Sequence, residues 1–248
     1  MNAPTWMDRR AAGSDVANQL MTYRDMDPLV LGIPRGGLVV AAEVARRLDA
    51  ELDAIVVSKL SAPHARLHTI GAVTANGGRL LDLDAIHRYG VSEAGVAAVT
   101  QVQRGAALGR EAWLRSFRAA APVTGRTVIV IDDGVQTGAT MRAAIAAVRR
   151  RLPARVIAAV PCGSSEGCRR VAREADALVC LQCLPRLDSL DVCYRSHQPP
   201  GEAEMRALLE RQASVPAASK RRGLVRNEPA GSVREITSSV SSGATETT

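Results

Sequence analysis

Residues 128–141 read VIVIDDGVQTGATM, and this stretch decides the fold. Apolar residues lead into Asp132 and Asp133, then into a loop of glycine and threonine, and then into a helical pattern. Two adjacent carboxylates at the end of a buried strand repel each other and are costly to desolvate. A purely structural role for both acids is therefore disfavoured, and the stretch predicts a ligand site at the carboxyl end of a strand.

Apolar segments alternate with helical patterns along most of the chain. Buried strands are predicted at residues 28–34, 52–58, 126–132, 154–161 and 177–182. Helices are predicted at residues 38–48, 84–118 (broken near Gly90, with Ser92 as an N-cap), 138–151 and 165–175. Residues 59–68 read as a polar loop, followed by a short strand at 69–73. This alternation predicts an α/β fold whose parallel sheet is covered on both faces and binds ligands at the strand carboxyl ends.

The loop after the acids has the composition of a phosphate site. Gly134 and Gly138 permit unusual backbone angles and close approach, while Thr137 and Thr140 supply hydroxyl groups. The helix that follows presents free N–H groups and the positive end of its dipole. Acids that can hold hydroxyl groups beside an anion site suit a ribose 5-phosphate.

The same stretch resembles the phosphoribosyl-diphosphate (PRPP) motif of the type I phosphoribosyltransferases. LGIPRGG (31–37) matches the family's pyrophosphate loop, and VVSKL (56–60) precedes its flexible catalytic loop. The closest resemblance is to uncharacterised bacterial phosphoribosyltransferases with DR..AG..L, PRGG, KL, IGAV and DDG..TGAT in that order, and it covers Met7 to Leu209. It implies a central parallel sheet of about five strands, flanked by helices, with a small hood and a flexible loop.

The resemblance also implies roles for individual residues. Asp132 and Asp133 are expected to bind the ribose hydroxyls, and the 5-phosphate is expected to contact Gly134, Val135, Gln136, Thr137, Gly138, Ala139 and Thr140. Arg35, Gly36 and Gly37 are expected to hold pyrophosphate, with a cis peptide after Arg35. Lys59 and Arg35 are the expected catalytic residues. Mg²⁺ is expected to arrive with PRPP, with Asp133 as an indirect ligand.

The implied reaction is Mg²⁺-dependent transfer from PRPP to an unidentified acceptor, expected to be a nucleobase, with release of pyrophosphate. Gln136 stands where the hypoxanthine-guanine enzymes of this family carry an aspartate, so a 6-oxopurine acceptor is not implied. Tyr194 is the candidate aromatic residue of the acceptor hood, with ordinary packing as the alternative.

Three other interpretations remain open. A PRPP-sensing regulator or nucleic-acid binder on the same fold would suit the formal charge of +7 and the segment KRRGLVR (220–226). GSSEG (163–167), with Asp191 and His197 after it, has the order of a serine hydrolase with Ser165 as nucleophile, although Ser164 as an N-cap explains it more simply. Cys180 and Cys183, with Cys162 and Cys168, have zinc-like spacing, against which stands the interpretation as free thiols.

Composition bounds the remaining expectations. The resemblance implies one phosphoribosyltransferase domain at 1–213, and a disordered tail is predicted at 214–248, where no apolar periodicity is found. The five cysteines are odd in number and confined to the C-terminal part, which is not a disulfide framework. No apolar run reaches membrane-spanning length, and a cytoplasmic protein is expected. The expected partners are PRPP and a small acceptor rather than nucleic acid or a membrane, and a homodimer is left open.

Overall fold

The structure is a computed structural model that describes residues 5–196 and 198–213. Its strands are β1 (Leu29–Gly32), β2 (Glu51–Ala54), β3 (Val57–Ala62), β4 (Ala65–Thr74), β5 (Arg79–Leu81), β6 (Thr127–Ile131), β7 (Arg155–Ser164) and β8 (Ala177–Leu184). Its α-helices are α1 (Arg9–Leu20), α2 (Gly36–Leu48), α3 (Leu83–Arg88), α4 (Glu93–Arg115), α5 (Ala139–Arg149), α6 (Ser165–Ala172) and α7 (Glu202–Ala213). Short 3₁₀ helices span Met21–Met26 and Leu190–Val192. The predicted tail from residue 214 lies outside the described residues.

Five parallel strands form the main sheet, in the order β2-β1-β6-β7-β8. This confirms the predicted α/β architecture. Strands β1 and β6 are far apart in sequence but adjacent in the sheet, with Gly32 paired to Ile131 at their carboxyl ends. The loops that follow these two strands are therefore brought together at the same edge.

Strand β6 shows why its sequence is apolar without a break. Residues 128–131 are fully buried, and successive side chains point to opposite faces of the sheet. Ile129 and Ile131 join the cluster that contains α1, α2 and α7, whereas Val128 and Val130 join the cluster beneath α5. Helices therefore cover both faces, as a continuous apolar run in a parallel sheet predicts.

The prediction of a polar loop at residues 59–68 is wrong. Strands β3 and β4 form an antiparallel hairpin there, and β5 adds a third strand to this second sheet. Leu60 and Ala62 alternate with the more polar Lys59 and Ser61, and the two apolar residues are buried in a separate small core that includes Ile70. The alternation spans too few residues, between polar neighbours, to be recognised from the sequence.

Helix α4 packs against this hairpin, and its C-terminal end is tied to the main sheet. Asp53 in β2 is buried and accepts hydrogen bonds from Arg115 at 3.0 and 3.1 Å. The predicted N-caps are confirmed, because Ser92 accepts from the Gly95 N–H and Ser164 accepts from the Gly167 N–H. Within residues 5–196 and 198–213, no helix is both long enough and apolar enough to cross a membrane.

Candidate active site

A cavity of about 280 Å³ opens at the carboxyl ends of β1 and β6, between the main sheet and the hairpin. Six parts of the chain contribute: the end of β1, strand β3, helix α4, the loop after β6, the first turn of α5 and the 3₁₀ helix at Leu190–Val192. The lining residues are Ile33, Pro34, Val57, Ser58, Lys59, Gln103, Arg110, Asp132, Asp133, Gly134, Gln136, Thr140 and Leu190. The cavity thus combines predicted ligands from two separate motifs with residues of α4 that no motif predicted.

The glycines of the PRGG turn are fixed by close contact with the acid pair. A Cβ on Gly36 would lie 1.9 Å from Asp133 Oδ2, and one on Gly37 would lie 2.7 Å from Asp132 Cα. Neither position has room for a side chain. Arg35 is exposed at the start of α2, and the cis peptide lies before it, between Pro34 and Arg35, rather than after it as expected.

Asp133 is held by Arg9, a residue for which no role was predicted. Arg9 Nε and Nη2 each lie 2.7 Å from Asp133 Oδ2, and the Arg9 side chain is 7% exposed. Arg9 also donates from Nη1 to the Gln198 carbonyl at 3.1 Å. One oxygen of Asp133 is therefore committed to a buried ion pair, which fixes the orientation of the carboxylate in the site.

Tyr194 does not belong to an acceptor hood, and this prediction is corrected. Its side chain is 1% exposed, and its hydroxyl donates to the Asp133 carbonyl at 2.6 Å. The ring packs against Trp6 and lies beneath the Arg9 guanidinium, 5.4 Å from centroid to Cζ. Burial raises the pKa of the Tyr194 hydroxyl far above its ordinary value, so it remains a hydrogen-bond donor. Tyr194 thus holds the Asp133 backbone through this hydrogen bond and does not face the cavity.

Asp132 has a different environment from its neighbour. Desolvation, followed by the charge of Asp133, raises the pKa of the Asp132 carboxyl well above its ordinary value, while Lys59 opposes the shift. Its Oδ1 accepts a hydrogen bond from the Asp133 N–H at 2.9 Å. Side chains with strongly shifted pKa values are concentrated at functional sites. Asp132 is therefore the acid of the pair that gains most from a ligand that donates hydrogen bonds.

The loop after the acids is docked onto β7 and α6. Val135 donates to the Cys162 carbonyl at 3.0 Å and accepts from the Ser164 N–H at 2.8 Å. Gly138 has φ +81°, and a Cβ there would lie 3.0 Å from the Gly167 carbonyl oxygen. Only glycine suits this left-handed position. The fixed loop places the start of α5, including Thr140, at a small recess next to the cavity, and Lys59 borders the same recess.

Positive charge is contributed by the hairpin and by α4. Lys59 is exposed on β3 and borders both the cavity and the recess, while Arg110 donates to Ser58 Oγ at 3.2 Å. Neither cation forms an ion pair with a carboxylate among the residues that the structure describes. Both are thus available to an anionic ligand.

Sequence reasoning missed Arg9, Gln103 and Arg110. Gln103 and Arg110 are seven residues apart and so lie on the same face of α4. That spacing is visible in the sequence, but nothing in the sequence indicates that this face meets β3. The position of Arg9 follows from the packing of α1, a helix that was not predicted.

The hydrolase and zinc interpretations receive no geometric support. The Ser165 hydroxyl donates to the Leu184 carbonyl at 3.1 Å, and Ser164 caps α6; His197 lies outside the described residues. The five cysteines are free thiols. Among residues 5–196 and 198–213, no three histidine, cysteine or acidic side chains are arranged to hold a metal ion.

Comparison with known proteins gives consistent results. The family model for the phosphoribosyl transferase domain matches residues 10–191. A Mycobacterium tuberculosis protein named "Putative phosphoribosyl transferase Rv0571c" is 35% identical over 204 residues, which cover 82% of this chain and 46% of that protein. The crystal structure of TT1426 from Thermus thermophilus is 36% identical, with a TM-score of 0.70, and covers 84% of this chain and 99% of that one. The chain spans about half the length of the curated relatives it matches.

Proposed function

Since the chain belongs to the phosphoribosyl transferase domain family, we propose that it transfers the phosphoribosyl group of PRPP to a nitrogenous base and releases pyrophosphate. One observation carries the proposal. A single cavity is lined by the acid pair, by Thr140 in the first turn of α5, and by Lys59 of the hairpin. A ligand with hydroxyls, a phosphate and a leaving pyrophosphate requires this combination of groups.

The 5-phosphate would bind at the recess before α5. Gly138 is the N-cap of α5 and provides no side-chain cap, so the positive end of the helix faces an anion directly, and the Thr137 and Thr140 hydroxyls can donate to phosphate oxygens. The ribose hydroxyls would then reach the acids. Asp132 can accept from one hydroxyl, and the Asp133 oxygen that is not bound by Arg9 can accept from the other.

The leaving pyrophosphate would meet the cations. Lys59, Arg110 and Arg35 come from three separate elements, and the first two line the cavity. Positive groups that are fixed where negative charge accumulates stabilise the transition state more than the bound substrate. A side chain at residue 36 or 37 would clash with the acids. The glycines of the PRGG turn therefore allow pyrophosphate to approach the backbone N–H groups closely.

Mg²⁺ fits this site as an ion held by the substrate. The described residues offer no set of three protein ligands, and one Asp133 oxygen is already bound by Arg9. The diphosphate oxygens and water would supply most of the coordination, with Asp132 and Asp133 nearby to bind its water ligands. When bound, the ion would neutralise charge on the leaving pyrophosphate.

The base would lie on the side of Gln136 and Leu190. The Gln136 side-chain amide donates to the Asp188 carbonyl at 2.7 Å, which directs it toward the segment after β8. An amide can hydrogen-bond to a base but cannot exchange protons with it as a carboxylate can. We therefore propose an acceptor that needs no acid–base group from this position.

The test is pyrophosphate release when the purified protein is incubated with PRPP, Mg²⁺ and a panel of purines, pyrimidines and pyridine carboxylates. Release with one class of base supports a transferase. Tight PRPP binding in calorimetry without turnover on any base would favour the sensor. Arg110→Ala should slow turnover. The matched control is Arg104→Ala, because Arg104 is an exposed residue of α4 that does not line the cavity.

A further inference from the structure

Three of the five cysteines meet on one side of the phosphate loop. Cys168 lies in the first turn of α6, and Cys180 and Cys183 lie on β8. The Sγ atoms of Cys168 and Cys180 are 3.6 Å apart. The two thiols are in van der Waals contact, and about 1.5 Å of approach would bring them to disulfide length.

The cluster reaches the protein surface through Cys183. Cys168 is 7% exposed, Cys180 is half-buried, and Cys183 is exposed at the surface. Hydrogen bonds from Cys180 and then from Cys183 lower the pKa of the Cys168 thiol, while the same contact and burial raise the pKa of Cys180. The 3.6 Å separation of the two sulfur atoms places a second thiol where it can capture the first once that one is oxidised.

The cluster is coupled to the phosphate loop through the start of α6. The Ser164 hydroxyl donates to the Gln136 carbonyl, and a Cβ on Gly167 would lie 2.3 Å from that carbonyl oxygen. The loop and the first turn of α6 therefore fit without spare room. A shift of the α6 backbone that brings Cys168 toward Cys180 would press on this contact, because packed interiors transmit small movements.

We propose that Cys168 and Cys180 form a reversible disulfide upon reaction with hydroperoxides, and that this modification weakens ligand binding at the adjacent phosphate loop. One thiolate attacks the peroxide O–O bond, which gives a sulfenic acid and, from hydrogen peroxide, hydroxide. The second thiol displaces the sulfenic oxygen as water and forms the S–S bond. Overall, two thiols and one hydrogen peroxide give one disulfide and two waters, and a dithiol reductant reverses the change.

The bond can be identified by tryptic digestion of the full chain. Cleavage after arginine gives a peptide of residues 156–169, which contains Cys162 and Cys168, and a peptide of residues 174–186, which contains Cys180 and Cys183. A Cys162→Ser/Cys183→Ser variant leaves one thiol in each peptide. After hydrogen peroxide, we expect these peptides to be linked and the pair to be two hydrogens lighter, with full reversal by dithiothreitol.

The matched controls are Cys168→Ser and Cys180→Ser, each of which should abolish the link. A link that persists in the parent but disappears in Cys183→Ser would assign the bond to Cys183 and overturn the proposal. Absence of any linked peptide in excess peroxide would also overturn it. These mass measurements do not depend on the proposed activity.

The effect on the loop is tested by PRPP affinity, which rests on the proposed function. Loss of one hydrogen bond to the loop predicts an affinity about fivefold lower for the oxidised protein. Equal affinity for the oxidised and reduced forms would overturn the coupling. A reduced protein that does not bind PRPP would instead contradict the proposed function, while the disulfide would still be decided by the linked peptides.

Discussion

Arg9 and Asp133 are 124 residues apart in sequence, yet their side chains share two contacts of 2.7 Å at the floor of the cavity. Arg9 lies at the start of α1, and Asp133 follows β6. The pair therefore locks the N-terminal helix to the edge of the sheet where the ligand would bind. Asp132, one residue earlier, has no such ion-pair partner among the described residues, although the charge of Lys59 lowers the pKa of its carboxyl against the larger effects of burial and Asp133.

The first prediction concerns this ion pair. Removal of one partner leaves the other charge poorly compensated, so Arg9→Gln and Asp133→Asn should each cost about 3 kcal/mol of unfolding free energy. The double variant should cost much less than the sum of the two single changes. Urea denaturation of the four proteins measures the coupling, and additive losses would show that the pair does not act as a unit.

The second prediction separates Asp132 from Asp133. Because the folded Asp132 carboxyl holds its proton above pH 3.8, where the unfolded one loses it, stability falls as the pH rises through the folded pKa. Asp132→Asn should remove this loss and raise the Tm at pH 7 by about 2–4 °C for each kcal/mol recovered. The same variant should bind PRPP at least about tenfold more weakly.

Thermal unfolding at pH 4 to 8 for both proteins provides the measurement. The gain in Tm should shrink as the pH falls toward 4, because the folded parent carboxyl then holds its proton and carries no buried charge. A variant that is less stable than the parent at pH 7 would show that the Asp132 charge is favourable in the folded protein. Asp133→Asn is the matched control, with the opposite expected effect on stability.

The third prediction concerns the glycine of the PRGG turn. A methyl group at Gly36 would meet Asp133 Oδ2 and Arg9 Nε, so Gly36→Ala should destabilise the protein by about 1–3 kcal/mol and impair PRPP binding. Gly105→Ala on α4 is the control, because a Cβ there meets nothing within 4 Å. In a helix interior, that change should stabilise by about 0.5–1 kcal/mol. Equal effects at both positions would refute the close packing around Gly36.

The fourth prediction concerns the phosphate loop. Gly138→Ala should strain a left-handed position and crowd the Gly167 carbonyl, which would weaken PRPP binding about tenfold or more. Gly125→Ala has a similar strain, at φ +73°, but lies in open space away from the cavity. It should lower the Tm without changing PRPP affinity. Calorimetry on both variants separates an effect on the site from general strain, and unchanged affinity in Gly138→Ala would contradict the phosphate cradle.

The sheet was predictable from the sequence because its signals are local. The unbroken apolar run of β6, the acids after it and the glycines of the loop each follow from short-range patterns that the structure confirms. Strand β3 of the hairpin was not predictable, because Leu60 and Ala62 form too short an alternation between polar residues, whereas the strand predicted at 69–73 is part of β4. Arg9 and Arg110 could not be assigned to the site, since their roles depend on where α1 and α4 pack, and that depends on contacts distant in sequence.

The most direct test of the central claim compares PRPP affinity and pyrophosphate release in the parent and in Lys59→Ala. A cation that acts when pyrophosphate leaves should affect turnover more than binding. With an active base, Lys59→Ala should therefore reduce pyrophosphate release by on the order of a hundredfold, while PRPP affinity changes much less. A parent protein that shows no PRPP binding in the presence of Mg²⁺ would contradict the assignment of this cavity as a phosphoribosyl transfer site.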